Sequence, residues 1–133
     1  MTSEEPPAVW CIVANVVEER PYGPGGEETR RGLKIFPAGA KLYVPDGFGG
    51  MGWETVEVVG RGRGSARYVA ARVQTRQLTN WRVEAVYSPA ALKQVERIRA
   101  GRPGFWLASI SADVTSQAYH DALLEVAAAL ATR

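Results

Sequence analysis

The chain has 133 residues, 46% apolar and 23% charged, with a formal net charge of +2. This is the make-up of one soluble globular domain, long enough to bury a core without staples. Cys11 is the only cysteine, which excludes a disulfide-rich scaffold, and so small a net charge gives no argument for nucleic acid or membrane.

Met1–Pro7, acidic and proline-containing, reads as a disordered tail. Residues 8–133 read as a single domain, with a β core over 8–87 and a helical part over 88–133. No apolar h-region follows the start, and no apolar run nears the roughly 18 residues of a membrane span. A cytoplasmic protein without membrane contact is the expectation.

Ala8–Val17 carries apolar residues on both alternating faces, Trp10, Ile12, Ala14 and Val16 on one and Cys11, Val13 and Val17 on the other. That is the pattern of a central strand covered on both sides. Cys11 is then packing rather than a reactive thiol, since nothing local would lower its pKa. Glu18–Gly32 follows as a charged, Gly- and Pro-rich loop.

Leu33–Phe36 and Lys41–Val44 are short strands divided by the turn Pro37-Ala38-Gly39. Pro45–Gly52 is a glycine-rich loop bringing Phe48, Met51 and Trp53 to the core or to the surface. Glu54–Gly60 and Ala66–Thr75 form a hairpin around Arg61-Gly62-Arg63-Gly64-Ser65. Trp81–Tyr87 alternates cleanly and reads as a further strand.

Ser88-Pro89 starts a helix, the serine capping an orphan N–H and the proline filling the first turn. Its buried stripe is Ala91, Leu92, Val95 and Ile98, it ends at Gly101, and Lys93, Arg97 and Arg99 form a solvated face. Arg102–Ser111 is a turn with Phe105 and Trp106. A second helix runs from about Val114 to Ala131, capped by Asp113 or Ser116, with Tyr119, Leu123, Val126, Ala127 and Leu130 on one face.

Two constellations are candidates for function. No carboxylate stands between Glu57 and Glu84, whereas Arg61, Arg63, Arg67, Arg72, Arg76 and Arg82 all do. Arginine suits bidentate phosphate or carboxylate contacts. With Tyr68 and Trp81 as stacking platforms, Arg61, Arg63, Arg67 and Arg72 would make a single-strand nucleic-acid binder; charged hairpin tips also serve solubility alone. The second constellation is Glu18, Glu19, Arg20, Tyr22, Arg30 and Arg31, joined by Phe48 and Trp53: both charge signs around aromatic anchors, as protein interfaces have. Adjacent exposed glutamates ionise normally, which argues against paired acid–base work there.

Other chemistry is not supported. Gly60-Arg61-Gly62-Arg63-Gly64 leads into another strand, whereas a dinucleotide loop must open a helix. His120, the only histidine, and Cys11 cannot supply a structural zinc site, and no serine stands in a Gly-x-Ser-x-Gly elbow. His120 is expected on a solvent-exposed helix face, and no cofactor or metal is expected.

Several strings together carry a resemblance: Arg31-Gly32-Leu33-Lys34 with Pro37-Ala38-Gly39-Ala40-Lys41, Val59-Gly60 with Arg67-Tyr68, Leu78-Thr79-Asn80-Trp81-Arg82-Val83, and Val86-Tyr87-Ser88-Pro89. On these the chain resembles a family of small bacterial proteins without an assigned activity. The similarity covers most of Val9–Ala131 and departs at the Gly47–Gly52 loop. The resemblance implies association with bacterial toxin or conflict systems and transfers no catalytic residue.

The expected fold is α+β: a small, strongly bent antiparallel sheet or SH3-like barrel followed by two C-terminal helices. The expected function is a non-catalytic protein-binding domain of immunity or antitoxin type. A nucleic-acid-binding small barrel is the alternative, and a small enzyme built on Glu18 or Glu19 beside Arg30 or Arg31 is the third reading.

Overall fold

The computed structural model describes residues 9–22, 34–45, 54–62, 64, 66–101 and 113–132. The expected tail Met1–Pro7, the glycine-rich loop beyond Pro45 and the turn with Phe105 and Trp106 lie outside them. In chain order the elements are β1 (Val9–Val16), β2 (Arg20–Tyr22), β3 (Lys34–Phe36), β4 (Lys41–Val44), β5 (Thr55–Arg61), β6 (Tyr68–Gln74), β7 (Leu78–Val86), α1 (Pro89–Gly101) and α2 (Gln117–Ala131).

Five strands form one antiparallel sheet in the order β6-β5-β4-β1-β7, and β2 pairs with β3 in a separate ribbon. The expected loop Glu18–Gly32 therefore contains a strand, with Pro21 opposite Ile35. Proline is tolerated there because a two-stranded ribbon leaves outward-facing positions that need no N–H.

The sheet is open among the described residues, with β6 and β7 at its edges, so the expected SH3-like barrel is not what these strands form. The reason lies in β1, where both faces are apolar. Ile12, Ala14 and Val16 enter one buried cluster with Leu42, Val56, Val58 and Val73, and α2 closes it with Tyr119, Leu123, Ala127 and Leu130. Cys11 and Val13 enter a second cluster with Tyr43, Val59 and Val86, closed by Ala91 and Val95 of α1. A barrel covers only its inner wall; this sheet needs a helix on each side. The result is a helix–sheet–helix arrangement in which each fully buried Ile, Leu or Val contributes about 1.5–3 kcal/mol.

Both helices start where side chains take up orphan donors. The Ala91 N–H donates to Ser88 Oγ at 3.3 Å, and the Tyr119 N–H to Ser116 Oγ at 3.1 Å. The second helix begins at Gln117, later than its apolar pattern suggests. Asp113 Oδ1 accepts from the Thr115 N–H at 3.1 Å, folding a local turn, and the Val114 carbonyl is taken by the Trp10 N–H at 3.1 Å.

The strand β7 also starts earlier than its alternation shows. Its register against β1 shifts between Val13 and Asn15, which places an extra residue at Asn80, whose φ is 56°. The bulge moves Leu78 and Trp81, an odd number of residues apart, onto the same cluster.

Candidate functional site

The hairpin β5–β6 and helix α1 build an open groove lined by charged and half-buried apolar side chains. Arg61 pairs with Tyr68 and Glu57 with Arg72 across the hairpin, directing all four toward the side of the sheet that carries α1. Ala91 and Val95 are committed to the core, so the helical period turns Ala90, Gln94 and Arg97 toward β6. Between them lies an open groove of about 810 Å³. Tyr68, Ala70 and Ile98 line it half-buried, while Arg67, Lys93 and Arg97 stand exposed along it.

Charge among the described residues of the groove is one-sided. Glu57 is the only carboxylate among them, and the Arg72 guanidinium lies 3.6 Å from it. The three exposed cations lie along one depression, closer to an occupant than a Debye length of about 10 Å, so their fields add there.

A second, smaller depression of about 400 Å³ lies by the start of α1, bordered by Lys41, Tyr43, Glu84 and Tyr87. A polar lattice runs beside it across β4, β1 and β7. Asn15 Nδ2 donates to the Gly39 carbonyl at 2.9 Å, and Asn15 Oδ1 accepts from Asn80 Nδ2 at 3.1 Å and Arg82 Nη1 at 2.6 Å. Glu84 accepts from both Arg82 and Lys41. Although desolvation would raise it, those hydrogen bonds hold the Glu84 carboxyl below the usual carboxylate range. Burial opposes ionisation of Lys41 too, yet the Glu84 hydrogen bond raises its pKa. Every member has a partner within the lattice, which marks it as a device that pins the bulge.

Of the arginines read from the sequence, Arg67 borders the groove, Arg72 is held by Glu57 beneath it, and Arg61 is exposed at the end of β5. Arg63 lies outside the described residues. The expected stacking pair is separated: Tyr68 packs on the α1 cluster and Trp81 on the α2 cluster, so they face opposite sides of the sheet.

Of the second constellation, Glu18 and Glu19 are exposed just after β1, and Glu18 borders a cleft of about 290 Å³ with Arg76 and Gln77. Arg20 and Tyr22 belong to β2, while Arg30, Arg31, Phe48 and Trp53 lie outside the described residues.

Lys93 and Arg97, expected only as a solvated helix face, border the groove. Their spacing from Ala90 was visible; that this face looks onto β6 was not. Arg99, expected on the same solvated face, is instead half-buried. Its Nη2 donates to the Trp10 carbonyl at 2.9 Å and its Nε to the Pro45 carbonyl at 3.3 Å, since the long stem reaches from α1 to the backbone of β1 and of the residue after β4.

His120 is likewise not fully in solvent. Its ring meets Trp10 edge-on at 4.5 Å between centroids, and its Nδ1 lies 3.0 Å from Asp121. The hydrogen bond from His120, then that from Gln117, lowers the Asp121 pKa. Burial pushes the Cys11 thiol up to about 11, the charge of Arg99 opposing it in part, which leaves it a packing residue.

Among the described residues no three His, Cys, Asp or Glu side chains stand close enough to share a metal ion, and no helix is long and apolar enough to cross a membrane. Comparison with protein-family models, with curated proteins and with solved structures gave no match.

Proposed function

We propose that this protein is a non-catalytic protein-binding domain whose partner surface is the groove between β6 and α1. One observation carries the reading: Arg67, Lys93 and Arg97 line a single open depression in which Glu57, beside Arg72, is the only carboxylate among the described residues. Cations that cost little to leave exposed gain most when a partner covers them with carboxylates, which steer its approach and fix its register. The partner is therefore a protein presenting an acidic surface, and the family resemblance makes an immunity- or antitoxin-type pairing the natural context.

The nucleic-acid reading keeps the same cations but lacks its stacking platform, because Tyr68 and Trp81 lie on opposite sides of the sheet. Affinity purification from the native host decides between the two readings. Wild-type protein should retain one stoichiometric protein partner, and the double variant Lys93→Glu, Arg97→Glu should lose it. Equal retention by both proteins, or nuclease-sensitive material alone, would reject the groove as a protein-binding surface.

A further inference from the structure

We infer that the groove takes a short extended protein segment in which one large apolar residue is flanked by carboxylates. The inference rests on the protein-binding reading above and adds the chemistry of the bound segment. The groove stays open because Ala66, Ala70 and Ala90 end at Cβ where longer side chains would have filled about 810 Å³. Its lining includes Ile98 and Tyr68, apolar surface that is only half-buried and that an incoming apolar side chain would remove from water.

The charges decide what surrounds that anchor. A wholly apolar segment would strip water from Arg67, Lys93 and Arg97 without replacing it, at a desolvation cost. A wholly acidic segment would leave the apolar lining uncovered and bring carboxylates against Glu57. Carboxylates on either side of one apolar side chain satisfy both parts at once. An extended chain suits the site because its alternate side chains point inward and outward, matching an inner apolar lining and an outer rim of cations.

The test is an amide chemical-shift titration of the full chain with acetylated, amidated pentapeptides. Asp-Glu-Leu-Glu-Asp should shift the amides of Tyr68–Ala70 and Lys93–Ile98. The same peptide with Gly in place of Leu should bind at least roughly tenfold more weakly, because the buried anchor is gone. Lys-Lys-Leu-Lys-Lys should leave these amides unmoved, and the exposed-site variant Lys93→Glu, Arg97→Glu should keep its fold and lose the acidic peptide. Equal affinity for the Leu and Gly peptides overturns the anchor while the acidic-partner reading stands. Binding of a dT 12-mer to these amides, with no acidic peptide bound, overturns both. Acidic-peptide shifts confined to other surfaces overturn the assignment to this groove.

Discussion

The Arg99 guanidinium lies 5.5 Å from the centroid of the Tyr119 ring, a contact between helices that cover opposite faces of the sheet. The same side chain donates to the backbone of Trp10 and Pro45. One arginine thus ties α1 to the end of β1, to the residue after β4 and to α2.

Removing that tie should be costly. Arg99→Ala is expected to lower the unfolding free energy by about 2–4 kcal/mol, since two carbonyls lose charge-assisted donors. Arg99→Lys should recover only part of the loss, because a single ammonium cannot match a planar fork. Urea denaturation measures both, and a loss below about 0.5 kcal/mol for the alanine variant would place Arg99 among ordinary surface residues.

Gly60 is required by its neighbours rather than by its backbone. A Cβ there would collide with Leu42 Cδ2 and come within 3.2 Å of Phe36 Cε1. Both are core side chains with no exposed surface. Gly60→Ala should therefore destabilise by about 1–3 kcal/mol through overpacking. Paired with Leu42→Ala it should cost less than the sum of the two single changes, as a double-mutant cycle by denaturation would read.

Asn80 holds the bulge of β7 at a φ of 56°, a region that β-branched residues avoid. Asn80→Val should cost about 1–3 kcal/mol, whereas Asn80→Gly should change stability by less than about 1 kcal/mol, trading the Asn15 hydrogen bond for relief of strain. Thermal unfolding of both variants against wild type checks this. A loss for Asn80→Gly as large as that for Asn80→Val would mean that the Asn15 contact, which both variants lack, dominates over the backbone.

The Cys11 thiol sets a dependence at alkaline pH. Its pKa is pushed up to about 11 in the folded chain from an ordinary 9.0, chiefly by burial. A raised acid holds its proton in the folded state while the unfolded chain begins to lose it. The stabilisation is thus complete below about pH 9 and is lost as pH rises toward about 11. Wild type should lose about 2–3 kcal/mol more than Cys11→Ala over that range, which denaturation at pH 8 and at pH 11 would show. Parallel profiles would mean the thiol ionises normally.

Much of the candidate site was legible as residues and not as a place. The carboxylate-free interval that holds Arg61, Arg67 and Arg72 is plain in the chain, yet Arg72 is held by Glu57 while Arg67 faces a helix more than twenty residues away in sequence. The other half of the groove, Lys93 and Arg97, carries no local signal separating it from any solvated helix face. Which surface a helix's polar side looks onto is a property of docking, and docking is set by distant contacts.

Local periodicity was settled by the chain alone. Two apolar faces on Val9–Val16, the turn at Gly39, the cap at Ser88 and the stripes of both helices follow from short-range geometry and from the exclusion of apolar surface from water. Tertiary structure alone decided that α1 and α2 cover opposite faces, that the sheet is open among the described residues, that a bulge at Asn80 shifts the β7 pattern, that α2 starts after its cap Ser116 and that Arg99 is drawn inward. Those outcomes depend on which strand ends, cavities and carbonyls meet once the whole chain has packed, and no window of neighbouring residues contains that information.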